Sequence, residues 1–520
     1  MTRIAVRGLL LGCALAMLAS AAFAGDDLSK KIDAIIDAPE FKHAHWGLLV
    51  VDAETGDTFY ERSADKLFAP ASTTKLYSVA SALDALGADY RFETPIYARG
   101  EVDKQGRLAG DLILVASGDL SMGGRTDDQG KIAFMDSDHT YAGYSSAAEL
   151  TAPDPLAGLD DLARQVAAAG IKSVSGDILI DNRLFDSAQG TGSGPDRLTP
   201  IMINDNLIDV EVSPSEPGKP AKIVWRPQTQ AVRVDAQVET VDATADTRVD
   251  LSSPSDGVIV VRGQIASNAK PVVRIYEAPD APSFARTLLI EALARAGVRV
   301  DAPVLDADNG AELPNKNDYP GLKRVALIKS PPFGESIKLI LKVSHNLHAS
   351  TLPLIVAARH GQRTLAAGLR KQHDFLARNG VDVDSISFGG GAGGDRADYV
   401  TPRATVQLLR YMATRPDFEV YKNALPTLGV DGTLAKSVGS DSPARGKIQA
   451  KTGTLTWSNV MNGGQVLNSK ALAGYGATAE GKPFVFAAFV NQTMISKPED
   501  RDRIGRVLGT ICETIHADKK

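Results

Sequence analysis

Between Pro95 and Pro332 the chain changes texture, and that change limits the folds open to it. On either side, helical periodicity and longer apolar strands dominate. Inside it, short alternating strands are separated by Gly, Asp, Ser and Pro. At 520 residues the chain is too long for a single hydrophobic core. Strands at both ends, with helices between them and a long interruption, call for one α/β (α+β) domain built from two distant segments. That domain needs an antiparallel sheet flanked by helices, and the interruption becomes one or two inserted, mostly-β domains.

The first segment opens with a short amphipathic helix, Leu28 to Ile36, and a hairpin in which Trp46 to Val51 pairs with Thr58 to Tyr60. After Pro70, the residues Leu76, Val79, Ala80, Leu83 and Leu86 recur at helical spacing, and Gly87 closes that helix. Inside the interruption, helices are expected near Leu156 to Ala169 and Ser283 to Ala296. Ile223 to Trp225, Ala231 to Val234 and Val258 to Val261 read as strands, and the polar stretch Gly123 to Pro155 as a long surface loop. The last segment is helical from Gly334 to about Met412. It then gives three strands, Lys447 to Lys451, Ala471 to Thr478 and Phe484 to Val490, and a closing helix with the stripe Ile504, Val507, Leu508, Ile511, Cys512, Ile515.

Residues 1–24 stand apart. Arg3 and Arg7 precede an uncharged apolar run, Gly8 to Ser20, and Ala22-Phe23-Ala24 supplies a small-x-small cleavage site. This is the pattern of a secretory signal peptide, and it implies an exported, periplasmic protein. The run is shorter than the ~20 residues a spanning helix needs, so no permanent membrane anchor is expected. It continues past Cys13, which sets aside a lipoprotein reading of Leu10-Leu11-Gly12-Cys13. Removing the leader leaves Cys512 alone on an apolar stripe, where it reads as core and not as a nucleophile. A formal charge of −6 offers no basic surface for nucleic acid.

Ser-x-x-Lys occurs twice, as Ser63-Ala64-Asp65-Lys66 and Ser72-Thr73-Thr74-Lys75. The first copy lies in a polar loop. The second opens the helix after Pro70, where a spacing of three puts Ser72 and Lys75 on one face. A serine hydroxyl becomes a nucleophile when a neighbouring base takes its proton, and an amine desolvated in a cleft can do so. Two more short motifs follow in order: Ser344-His345-Asn346 after the helical run Ser336 to Val343, and Lys451-Thr452-Gly453 at the end of a strand.

In order and placement these resemble the three motifs of the β-lactamase and penicillin-binding superfamily. The long gap from Ser72 to Ser344 resembles the class C low-molecular-mass penicillin-binding proteins, the D-alanyl-D-alanine carboxypeptidase/endopeptidase family. Pro70 to Lys75, Val174-Ser175-Gly176-Asp177, Gly429 to Leu434, Ala450 to Leu455 and Leu472 to Tyr475 fit the same family. The resemblance implies an acyl-enzyme on Ser72, with Lys75 as proton acceptor and Ser344 carrying the proton onward. It makes Asn346 an orienting group, Lys451 a source of positive charge for the substrate carboxylate or for Ser344, and the backbone N–H groups of Ser72 and Thr454 the oxyanion hole. Thr452, Gly453, Arg396 and Asp181 would bind substrate. The implied partners are peptidoglycan stem peptides and β-lactam antibiotics, with no cofactor; carboxypeptidase versus endopeptidase preference and oligomeric state stay open. The implied domains are residues 25–97 and 333–520 for catalysis, 98–211 and 265–332 for one insertion, and 212–264 for a second.

The sequence also departs from the family. Gly389 to Gly394 followed by Asp395-Arg396 lacks the usual serine, and His345 stands where Asp is common, with little consequence expected. The same glycines satisfy Gly-x-Gly-x-x-Gly, but no helix follows, which excludes a dinucleotide fingerprint. His43 and His45 alternate without a third ligand, so no metal site is expected. Two other readings share parts of this pattern: a β-lactamase-type hydrolase, and a wall-binding protein that keeps the fold without turnover.

Overall fold

Strand-forming residues from both ends of the chain meet in one five-stranded antiparallel sheet, in the order Ile448–Asn459, Gly464–Ala477, Pro483–Ile495, His45–Asp52, Thr58–Arg62. The computed structural model describes residues 27–518, so the leader read over residues 1–24 lies outside the described residues. Alternation along the central strands buries both faces. Leu48 and Val50 pack with Phe484, Phe486 and Val490, and with Ile504, Leu508, Ile511, Cys512 and Ile515 of the helix Pro498–His516. The helix over residues 27–36 adds Leu28, Ile32 and Ile36 to that core. The helix Pro402–Ala413 packs on the same strands yet shares none of this cluster, which puts it against the opposite face and Leu49 and Val51. Burial pushes the Cys512 thiol up, as suits a core residue.

The three C-terminal strands run longer than their apolar cores suggested. Pairing continues through Leu455 to Asn459 and Gly464 to Leu467, where side chains are largely polar or exposed and give no alternating signal. The helical tract expected from Gly334 to Met412 is four helices: Phe333–Lys342, Asn346–Arg359, Leu365–Arg378 and Pro402–Ala413.

Packing divides the described residues into two units: 27–77 with His373–Gly389 and 393–518, and Ser78–Gln372 with Gly390–Ala392. The second unit contains a six-stranded sheet that includes Glu93–Val102, Arg107–Val115, Ile178–Asp181 and Lys323–Lys329. The helices Ala157–Ala168 and Ala281–Arg295 cover it with Leu159, Leu162, Val166, Leu288, Leu289 and Leu293. It also contains two three-stranded sheets. One joins Lys222–Arg226, Leu207–Ser213 and Val272–Glu277; the other joins Arg233–Val241, Val258–Ala266 and Arg248–Ser255.

The stretch Gly123 to Pro155 is irregular, as its composition implies, but it is not all surface. Arg125, Asp138, His139 and Thr140 within it are buried, with Arg125 ion-paired to Asp205 and His139 to Asp209, far along the chain. A local pattern of polar residues carries no sign of such pairing.

The sheet also fixes the segment that leads to Ser72. The Ala69 carbonyl accepts a hydrogen bond from Ser469 Oγ at 2.6 Å, and the Ala69 N–H donates to Asn491 Oδ1 at 2.8 Å. Asn491→Ala should leave that buried N–H unpaired and cost about 1–3 kcal/mol. A urea midpoint unchanged from wild type would show that the bond contributes nothing.

Candidate active site

The turn that carries the candidate nucleophile, Ser72, is built on one strained residue. Ala71 has φ 46°, in the left-handed region that a side chain disfavours, and it begins the short 3-10 turn Ala71–Thr73 that runs into the helix Thr74–Leu86. Thr73 Oγ1 donates to the Pro70 carbonyl at 2.8 Å and locks that turn. The turn leaves Ser72 partly exposed while Lys75 is fully buried, and Lys75 Nζ lies 2.8 Å from Ser72 Oγ. The other Ser-x-x-Lys copy forms only a tight turn, with the Lys66 N–H on the Ser63 carbonyl.

Burial holds the Lys75 amine well below its usual pKa, the charge of Lys451 pushes it further, and Asp398 opposes them. Lys451 is also fully buried, and burial brings it down to about 7. A neutral amine on a serine hydroxyl is the state a general base needs. Asp398 sits at the end of the Gly-rich loop, where it accepts the N–H groups of Gly389 and Asp395 at 2.8 and 2.9 Å. Burial raises its own carboxyl to about 6, against those two hydrogen bonds and Lys75.

Two glycines permit close backbone approach to this turn. Gly453 lies on the edge strand Ile448–Asn459, and a Cβ there would come 2.7 Å from the Pro70 carbonyl oxygen. At Gly393, with φ +89°, a Cβ would fall 1.8 Å from the Ala71 carbonyl oxygen. The Gly-rich loop is therefore a packing device against the nucleophile turn. On the same edge strand Thr452 Oγ1 donates to Thr433 Oγ1 at 2.7 Å, and Thr454 is exposed, with its hydroxyl accepting from Lys470 at 2.9 Å.

In its own unit, Ser344 has φ 68° and precedes the helix Asn346–Arg359. Its carbonyl accepts from Tyr141 Oη at 2.7 Å, and Asn346 Nδ2 donates to Ser193 Oγ at 2.9 Å. Arg396 is exposed, lies over the Trp457 ring at 5.6 Å, and lines a cleft of 280 Å³ with Ala71, Asp398 and Asn468. Asp181 has a different environment. It is buried, with Arg183 on both carboxylate oxygens at 2.9 and 2.7 Å and Tyr319 Oη at 2.6 Å. Those partners outweigh burial and keep it ionised, so the carboxylate is engaged within its own unit.

A partly exposed serine on a buried lysine amine, beneath an edge strand, has the chemistry that acyl transfer needs. The D-Ala-D-Ala carboxypeptidase 3 (S13) family matches residues 28–510. The chain belongs to that family. It is a serine-type D-Ala-D-Ala carboxypeptidase. It is 27% identical over 476 residues to the D-alanyl-D-alanine carboxypeptidase of Actinomadura sp. (strain R39), covering 87% of this chain and 81% of that one. It is 26% identical over 436 residues to D-alanyl-D-alanine carboxypeptidase DacB of Haemophilus influenzae, covering 81% and 80%. The crystal structure of penicillin binding protein 4 from the same organism shares the fold, with a TM-score of 0.68 at 22% identity over 92% of this chain and 98% of that one.

Asp398, Ser469 and Asn491 escaped the sequence reading. These three hold backbone and tune charge from positions without a motif. Asp398→Asn should move the rising limb of the acylation pH profile to lower pH. Above pH 6 the carboxylate helps Lys75 keep its proton, and its removal lets the amine lose that proton sooner. A shift in the opposite direction, measured with a chromogenic β-lactam, would remove Lys75 as the titrating base.

Proposed function

We propose that this carboxypeptidase cleaves the terminal D-Ala-D-Ala bond of peptidoglycan stem peptides through an ester on Ser72. The observation that carries the reading is the 2.8 Å contact between Ser72 Oγ and a fully buried Lys75 amine held below its ordinary pKa. Lys75 Nζ takes the hydroxyl proton as Oγ bonds to the carbonyl carbon of the penultimate D-alanine. The carbon–nitrogen bond then breaks, and Ser344 passes the proton to the departing amine. Water hydrolyses the ester and regenerates Ser72.

Asn346 orients Lys75 and the substrate amide, and Lys451 supplies positive charge for the substrate carboxylate or for Ser344. The N–H groups of Ser72 and Thr454 stabilise the oxyanion, where loss of one donor typically costs ~100–1000-fold in rate. Thr452 and Gly453 form the strand edge along which the peptide lies. Arg396, beside Trp457 in the cleft that reaches Ala71, takes a substrate carboxylate. Asp181 has no free carboxylate oxygen to recommend it for a substrate amine. β-Lactams acylate the same serine, and the enzyme is exported. Among the described residues no helix is long and apolar enough to cross a membrane. Residues 98–211 with 265–332, and 212–264, are insertions that shape access to the site. The sheet formed by Arg233–Val241, Arg248–Ser255 and Val258–Ala266 supports the second of these.

Ser72→Ala should abolish D-alanine release from a defined pentapeptide and labelling by fluorescent penicillin. Wild-type release from that variant would sink the assignment, and rapid penicillin turnover by the wild type would favour a β-lactamase. Activity on a crosslinked dimer would add endopeptidase cleavage.

Arg396→Ala should weaken peptide hydrolysis at least tenfold more than penicillin acylation. An equal loss in both assays would assign Arg396 to supporting the Gly-rich loop.

A further inference from the structure

Beside the Ser344–Asn346 turn lies a buried ionic cluster that the catalytic reading leaves unused, and all of it belongs to one unit of the chain. Asp205 is its hub. One carboxylate oxygen accepts from Arg125 at 2.7 Å and pairs with His139 Nε2 at 2.8 Å; the other pairs with His348 Nε2 at 2.7 Å. Asp138 pairs with Arg125 at 2.7 Å, and Asp209 bridges His139 Nδ1 at 2.5 Å and Arg226 at 3.2 Å. His139 lies between carboxylates on both ring nitrogens and so carries both protons. Three carboxylates thus face two guanidiniums and an imidazolium, and the charges cancel.

The hub is held at a conformational cost. Asn204, Asp205 and Asn206 have φ of 50°, 53° and 56°, a left-handed run without glycine. The Asn206 side chain braces it through the Ile203 N–H and the Ile201 carbonyl, and Asn204 through the Leu207 carbonyl. Strain of this kind persists where the surroundings over-determine it, and it gathers at functional sites.

The cluster reaches the catalytic turn through His345. That residue is fully buried, and its Nδ1 accepts the His348 N–H at 3.3 Å as the cap of the helix Asn346–Arg359. A neutral ring whose Nδ1 accepts carries its proton on Nε2. Nε2 lies 3.5 Å from both Asp138 Oδ1 and Asp205 Oδ2 and has no closer partner. The same tautomer speaks against a metal, although Asp205, His345 and His348 lie within ligating reach of one another. Nε2 would need its lone pair free, which moves the proton to Nδ1, against an N–H donor.

We infer that Asp205 and His345 are positioning residues for Ser344 and Asn346: the inserted region holds the catalytic turn by facing the buried His345 Nε2–H with the carboxylates of Asp138 and Asp205, 3.5 Å away. This rests on the roles proposed above for Ser344 and Asn346.

The test compares two isosteres. In His345→Asn the side-chain oxygen replaces Nδ1 and keeps the helix cap but loses the Nε2 contact. In His345→Gln the amide reaches the Nε2 position and loses the cap. With a fluorescent penicillin, the Asn variant should label to wild-type stoichiometry at a rate lowered at least tenfold, and the Gln variant should stay within about threefold of wild type. The reverse order, or a wild-type rate in the Asn variant, would overturn the inference and leave a simple helix cap. Stoichiometric zinc in purified protein, with labelling lost on chelation and restored by zinc, would overturn it as well. Absence of labelling in the wild type would instead remove the catalytic reading, and this inference with it.

Discussion

The site depends on an amine kept out of water. Lys75 sits fully buried at the start of a helix with its Nζ on Ser72 Oγ, and a second buried amine, Lys451, disfavours its protonated form. In water the same amine would be an ammonium ion with no base strength to lend. In the proposed mechanism desolvation is therefore the source of reactivity, and it must be maintained by everything packed around the pair. Asp398 alone among the named charges pulls the other way, and its own carboxyl is raised by burial to about 6. The balance is tunable because the counter-charge titrates close to neutrality.

Keeping water away requires backbone to approach backbone. Gly453 and Gly393 close on the nucleophile turn from the edge strand and from the Gly-rich loop, at distances no side chain could occupy. The strained Ala71 aims Ser72 outward while Lys75 stays inside. Ser469 and Asn491, from two central strands, grip the Ala69 backbone that feeds the turn. The five-stranded sheet is thus a jig for a few residues of irregular chain.

What the sequence reveals follows from this division of labour. Ser72 and Lys75 are legible because a spacing of three on a helix is local. The amphipathic stripe of the C-terminal helix is legible for the same reason. The mixed fold, with its antiparallel sheet made from both ends of the chain, follows from where the strand patterns lie. Residues 123–155 mislead: Arg125, Asp138 and His139 look like loop polarity until Asp205 and Asp209 are brought to them. The far ends of the hairpin strands escape because ladder hydrogen bonds, not alternating side chains, hold them.

His345 joins these two kinds of information. As the middle letter of a short motif it looked indifferent, because the motif's chemistry resides in the residues on either side. Its burial against Asp138 and Asp205 makes it the point where residues remote in sequence meet the Ser344–Asn346 turn. Ala71 and Ser344 both adopt left-handed backbone without being glycine, and both are braced by groups remote in sequence, Ala71 through the Ala69 backbone before it and Ser344 through Tyr141. A local motif can state which atoms react. The strain it carries has to be balanced by tertiary contacts, so the geometry of the reaction is distributed over parts of the chain that bear no motif at all.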